Sequence, residues 1–240
     1  MRILLLNGNT DAALTDRMLS LAEAALPRLG LGHVSLVPAT ARFGARYIAS
    51  RVAAAIAGHA VLERVSEHAS SVEAIAIACF GDPALDAARE LAGIPVAGMA
   101  DASLQAALPL APRVALLTGG AAWVPMLEEF IVSRGVAPER VLVRAVTPTG
   151  DMIARHPERA LDMLSIAASE AVADGAGVVV LGGAGLAGLA PRLAPRLAVP
   201  VLDSLDCLLV MAAQPHAIPS PPARTPTLGL APALAQRLEP

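Results

Sequence analysis

Short apolar runs rich in Val, Ile and Leu recur along this chain, each closing on Gly, Asn, Thr or a similar turn residue, and most are followed by a longer helical stretch. That alternation is the feature that most restricts the fold, because strands joined by helices pair in parallel through right-handed crossovers. The runs at residues 2–7, 33–38, 74–79, 95–98, 113–118, 141–146, 177–182 and 200–203 read as strands. Residues 11–25, 47–68, 83–91, 121–133, 157–174 and 204–213 read as helices. With hydrophobic residues at 55% and aromatics at only 2%, the core has to be aliphatic. Such a core suits strands covered by helices on both faces.

The pattern occurs twice. Arg2-Ile3-Leu4-Leu5-Leu6-Asn7-Gly8-Asn9 lines up with Arg113-Val114-Ala115-Leu116-Leu117-Thr118-Gly119-Gly120. Further on, Ala76-Ile77-Ala78-Cys79-Phe80-Gly81 lines up with Val180-Leu181-Gly182-Gly183-Ala184-Gly185, with one residue of offset allowed. Each is followed by a helix and a Pro-Val strand, at Pro95-Val96 and Pro200-Val201. The expected fold class is α/β with two pseudo-symmetric lobes, each on a parallel sheet: 1–110, 111–213, and a proline-rich tail at 214–240 that forms an irregular wrap or a short terminal helix. An exchange of a helix or strand between lobes near the C-terminus is compatible with this division. Ligands of open α/β sheets bind beyond the carboxyl ends of the strands. The simplest geometry therefore gathers Asn7, Cys79, Thr118 and Gly183 around one cleft.

Several function classes are excluded or disfavoured by composition. A net charge of −3 argues against nucleic acid, and no basic run marks a membrane surface. The apolar stretch at 175–190 is glycine-rich and too short to span a bilayer, and the N-terminus lacks a secretory pattern. A cytoplasmic, homo-oligomeric protein acting on a small molecule is expected. The two cysteines make no disulfide framework, and the five scattered histidines make no metal-ligand spacing, so no metal is expected. The chain contains no lysine; all 18 basic residues are arginine. Schiff-base chemistry, pyridoxal phosphate included, and a Walker-type phosphate loop both need that amine.

Cys79 carries the chemical reading. It closes a buried strand, and Gly81-Asp82-Pro83 follows, with Asp82 suited to N-cap and Pro83 to the first helical position. A thiol there is expected to feel the helix dipole and nearby N–H groups as stabilisers of its thiolate, and so to take a proton from a carbon acid. The competing reading is a buried small hydrophobe. Cys207, inside the apolar run Asp206-Cys207-Leu208-Leu209-Val210-Met211, reads as core. Asn7-Gly8-Asn9-Thr10 and Thr118-Gly119-Gly120 read equally as carboxylate- or imide-gripping turns and as plain strand-to-helix turns. Gly183-Ala184-Gly185-Leu186-Ala187-Gly188, with Asp203 at the next strand's end, has the outline of a dinucleotide fingerprint. Pro191 and Pro195 interrupt its helix, and the unit comes last in the chain, both of which count against that reading.

Asn7-Gly8-Asn9-Thr10 resembles the N-P-N-T opening of the hydantoin racemase family, within the aspartate/glutamate racemase superfamily. Gly44-Ala45-Arg46-Tyr47-Ile48-Ala49-Ser50-Arg51 with Ala57-Gly58-His59-Ala60 is also similar, as is Thr118-Gly119-Gly120 with Trp123-Val124-Pro125-Met126-Leu127. Leu181-Gly182-Gly183-Ala184-Gly185-Leu186-Ala187-Gly188-Leu189 adds to the match, and Ala78-Cys79-Phe80-Gly81-Asp82-Pro83 is its most specific part. The resemblance implies two flavodoxin-like lobes, an interlobe active-site cleft and no cofactor. It also implies a pair of cysteines on opposite faces of the substrate carbon. Cys79 matches the first; Gly183 stands where racemases of the family carry the second, in Gly-Cys-Ala-Gly.

Glycine supplies no proton, so two-thiol racemisation is not supported by these residues. The leading expectation is a cofactor-independent racemase or isomerase acting next to a carbonyl of a hydantoin, amino acid derivative or small carboxylic acid. Cys79 would be its acid/base. Asn7, Asn9 and Thr118 would hold the polar edge of the substrate, with Gly119 in the same turn as Thr118. Phe80, Gly81, Ala184 and Gly185 would offer backbone N–H groups, Gly183 would leave room on the second face, and Tyr47 would wall the site. The alternatives are a single-cysteine decarboxylase or lyase, and a non-catalytic small-acid binder.

Overall fold

A computed structural model describes residues 1–146 and 156–239; residues 147–155 of the expected second lobe, and residue 240, lie outside the described residues. The chain forms two compact units: Met1–Gly98 with Leu209–Pro240, and Met99–Leu208. Each is built on a four-stranded, all-parallel sheet.

The first unit runs β1 (Arg2–Asn7), α1 (Ala12–Ala25), β2 (Ser35–Thr40), α2 (Arg51–His68), β3 (Ala74–Ile77), α3 (Leu85–Ala92) and β4 (Val96–Gly98). Its sheet order is β2-β1-β3-β4. Ile3, Leu4, Leu5 and Leu6 are wholly buried, as are all residues of β3, which is what a sheet with both faces covered requires. Pro38, which cannot donate to a ladder, falls on β2, an edge strand. Ser50 caps α2, accepting a hydrogen bond from Ala53 N at 3.1 Å. The helix thus starts four residues after Tyr47, which lies in the preceding loop.

The second unit contains α4 (Met99–Ala107), β5 (Val114–Gly119), α5 (Trp123–Ser133), β6 (Val141–Val146), α6 (Pro157–Ala173), β7 (Val178–Gly182), the short α7 (Ala190–Leu193) and β8 (Val201–Asp203). Its sheet order, β6-β5-β7-β8, repeats that of the first. Its core packs Ala115, Leu117, Val179 and Leu181 against Leu164, Ala168 and Leu193. α8 (Ser204–Ala212) follows β8 with no intervening loop, as α4 follows β4.

α4 has no counterpart in the sequence reading, because no turn residue or cap separates it from β4. It packs on β7 and β8, so the first compact unit ends at Gly98 and not near residue 110. Among the described residues, no helix is long and apolar enough to cross a membrane.

The tail includes a short helix, α9 (Pro232–Leu238), that lies on α2 with Leu234 buried. The Arg237 guanidinium donates to Ser66 O (3.3 Å), Leu91 O (3.4 Å) and Ala92 O (3.5 Å). It therefore places positive charge at the carbonyl ends of α2 and α3, where the helix dipole is negative. Arg237→Ala is expected to cost about 1 kcal/mol, lowering the thermal midpoint by roughly 2–4 °C in a melt followed by circular dichroism.

Candidate functional site

In the first unit β1 pairs with β3 in the register Leu6↔Ile77, and Ala78 N donates to Leu6 O at 2.8 Å. Asn7 therefore ends its strand beside Ala78, and Cys79 comes next. In the second unit β5 pairs with β7 in the register Thr118↔Gly182, which puts Gly183 next. Cys79 and Gly183 are therefore equivalent positions in the two sheets. Both follow the strand pair at which the order of connection reverses, the usual ligand position of such sheets.

The turn after β1 is closely bonded. Asn7 Nδ2 donates to Asn9 Oδ1 (2.9 Å), Asp11 O (3.1 Å) and Thr15 Oγ1 (3.0 Å), while Asn7 Oδ1 accepts from Asn9 N (3.1 Å). Asn9 Oδ1 also accepts from Asp11 N (2.9 Å), and Asp11 caps α1 through Leu14 N. Asn7, 1% exposed, is engaged inside the turn. Thr10 N donates to Ala45 O (3.1 Å), tying the 41–50 loop, with a half-exposed Tyr47, to the same turn. Gly8 has to be glycine-sized: a Cβ there would meet Pro83 Cγ at 3.3 Å and Cys79 Cβ at 3.5 Å.

The segment after Cys79 departs from the sequence expectation. Asp82 does not cap a helix beginning at Pro83; α3 begins at Leu85, behind Ala84. Gly81 (φ 120°), Asp82 (φ 47°) and Ala84 (φ 58°) all occupy left-handed backbone. Two non-glycine residues in that region, so close together, store strain of about 1–3 kcal/mol each, and tertiary contacts hold them there. Asp82 N donates to Cys79 O (3.0 Å), and Leu85 N to Asp82 O (3.1 Å). The Asp82 side chain is buried over Gly98, where an added Cβ would overlap its carboxylate and approach Leu85 Cδ2 to 2.8 Å.

Cys79 is 8% exposed and Phe80 buried. Burial pushes the Cys79 thiol up to about 12, and the Asp82 carboxylate pushes in the same direction. The expected thiolate stabilisation is overturned: loss of water outweighs any dipole from a helix that begins beyond the turn, and the nearby charge is negative.

In the second unit Thr118 is buried at the end of β5, with Gly119 after it, and Gly183, Ala184 and Gly185 are partly exposed. Gly183 has φ 114° and donates its N–H to Ser204 Oγ (3.3 Å). Asp203 Oδ2 accepts from Gly188 N (2.6 Å) and Oδ1 from Leu205 N (3.0 Å). The carboxylate that a dinucleotide would need for its ribose is thus spent closing its own loop, and that reading does not fit. Cys207 is half-buried; burial, then Asp203 and Asp206, push its thiol up to about 12, against a hydrogen bond from Ser103. Among the described residues, no group of three or more His, Cys, Asp or Glu is placed to hold a metal ion.

Sequence reasoning gave Asp82 the wrong role and missed Gly98 and Ser204. Asp82 stood in the motif, but only the fold brings Gly98 beneath it.

These features define a duplicated flavodoxin-like α/β protein with a cysteine at one of its two switch points. The family model for Asp/Glu/hydantoin racemases matches residues 3–212, and this chain belongs to that family. It is 34% identical to a hydantoin racemase of Rhizobium meliloti over 221 residues, 88% of this chain and 87% of that one. Among solved structures it resembles the allantoin racemase from Klebsiella pneumoniae, with a TM-score of 0.84 and 28% identity over 95% of this chain and 96% of that one. The allantoin racemase from Pseudomonas fluorescens gives a TM-score of 0.82 at 28% identity, over 88% and 89% of the two chains. The chain is accordingly an enzyme of the racemase and isomerase class.

Both thiols are raised above their ordinary value of 9.0, to about 12. The unfolded chain loses those protons first, so the stability they contribute is complete below pH ~9 and falls as pH rises toward ~12. Urea unfolding should show a decline of at most roughly 1.4 kcal/mol per pH unit per thiol, and Cys79→Ser or Cys207→Ser should each remove one share of it.

Proposed function

We propose that this enzyme moves a proton at the carbon next to a carbonyl of a hydantoin or related amino acid derivative, with Cys79 as its single acid/base thiol. The observation that carries this reading is the matched register of the two sheets: the position that holds Cys79 in one holds Gly183 in the other. The family implies proton transfer from two faces of a carbon, and only one of these positions bears a group able to do it. At φ 114°, residue 183 has a backbone that side-chain-bearing residues rarely adopt, which supports a turn already adapted to having no thiol.

The remaining residues are assigned roles by the hydrogen bonds of Asn7 and Asn9 and by the position of the others in the turns after the strands. Asn7 shapes the turn. Asn9, with Oδ1 held inward, offers its Nδ2 to the carbonyl or imide edge of a substrate. Thr118 is the corresponding polar residue of the second unit. The N–H groups of Phe80, Ala184 and Gly185 stabilise the negative charge that develops on the carbonyl oxygen. Gly81 and Gly183 keep the backbone close to the substrate, and Tyr47, on the loop tied to Thr10, lies toward its substituent.

A second reading is favoured by the protonated state of the thiol. A Cys79 S–H is the form that delivers a proton to an enolate, as a one-sided decarboxylase requires: loss of CO₂ leaves the electron pair on carbon, and the thiol protonates one face.

Incubation of each enantiomer of a 5-substituted hydantoin in D₂O separates these readings. A single-thiol enzyme is expected to wash deuterium into one enantiomer, seen by NMR, with optical rotation unchanged. Cys79→Ser should slow that exchange by 10²-fold or more. Racemisation by the wild type would overturn the single-thiol reading. CO₂ release from a substituted malonate, without exchange on the hydantoin, would establish the decarboxylase. No exchange and no CO₂, with saturable binding, would leave a binding protein.

A further inference from the structure

Each sheet ends in a strand that runs directly into a helix, and a carboxylate stands at each junction. In the second unit it belongs to the strand itself: Asp203 is the last residue of β8, and its two oxygens accept from Leu205 N and Gly188 N. This binds the loop after β7 to the start of α8. The equivalent residue in the first unit, the last of β4, is Gly98, which has no side chain. The space its side chain would occupy is filled by the Asp82 carboxylate, reaching in from the loop after β3. The carboxylate has therefore changed its donor, from the end of the last strand to the turn that carries Cys79. That exchange explains why position 98 is glycine, since any Cβ would expel the carboxylate.

We propose that Asp82, seated over Gly98, is the positioning residue of Cys79: it holds residues 79–84 in their left-handed turn and keeps a negative charge beside the sulfur. The inference rests on Cys79 being the proton-transferring group. Its geometric basis is the run of positive φ at Gly81, Asp82 and Ala84, the bond from Asp82 N to Cys79 O, and the seat at Gly98. Gly8 closes the other side of the cysteine without adding a charge. After burial, Asp82 is the charged group that acts on the sulfur, and it acts to keep the proton on. Cys79 thereby rests protonated, the form that can pass its proton to a carbanion more basic than its own thiolate. In the second unit, which has no thiol at 183, the carboxylate stays on the strand end.

The test is the pH dependence of Cys79 alkylation by iodoacetamide, read by mass spectrometry of the Cys79 peptide in the folded, full-length protein. Asp82→Asn keeps the shape over Gly98 and removes the charge. It is expected to label on the order of tenfold faster at pH 9, with the midpoint of its profile moved down. In the hydantoin exchange assay the pH–rate profile should move down in step with the labelling profile, with KM little changed. Asp203→Asn, at the junction that faces Cys207 and not Cys79, should reduce the melting temperature yet leave the Cys79 profile where it is. If Asp82→Asn does not fold, Asp82→Ser, uncharged and smaller, is read in the same way. An unchanged profile in the Asp82 variant overturns the proposal, as does an equal shift in Asp203→Asn. Labelling needs no substrate, so a shifted profile in a protein that exchanges no hydantoin would sink the proposed function and leave the role of Asp82 standing.

Discussion

The pairing of β1 with β3 is the constraint on which the site depends. In a sheet buried on both faces, a slip of one residue would turn every side chain of the strand to the opposite face. The register Leu6↔Ile77 is held by close packing: Leu4, Leu5, Leu6, Ile75 and Ile77 are all excluded from water, and a slipped strand would have to repack both covered faces. It brings the N-G-N-T turn and Cys79 out of the sheet side by side. Gly8 then lets the two turns close to contact.

The two units show how one plan takes different equipment. Their strand orders agree, their pairing registers correspond, and each last strand passes straight into a helix. The differences sit in the loops, where the sheet does not dictate side chains. One switch point has a cysteine, and a carboxylate borrowed from its own loop. The other has a glycine, and a carboxylate supplied by the strand end. Loops carry chemistry on a rigid scaffold for this reason: they change without disturbing the core.

The environment of Cys79 is a contest of magnitudes. A helix N-terminus contributes a fraction of a kcal/mol to about 2 kcal/mol toward a negative charge, and that effect fades within a turn. Here α3 begins beyond a strained turn, while burial and an adjacent carboxylate both act against ionisation. Burial wins. The result is a group that rests protonated.

Much of this was legible in residue order. All eight strands, the twofold repeat, the absence of lysine and the A-C-F-G-D-P segment are local properties, and local periodicity with turn chemistry is enough to read them. α4 escaped, because it continues a strand without a break. The state of the thiol and the role of Asp82 were beyond reach for a different reason. Both depend on which distant backbone lies against the turn, and Gly98 becomes a seat for a carboxylate only after β4 has paired with β3. Sequence by itself determined most of the elements and singled out the sulfur atom of residue 79. The tertiary structure decided the protonation of that atom, because desolvation and charge act through space and not along the chain.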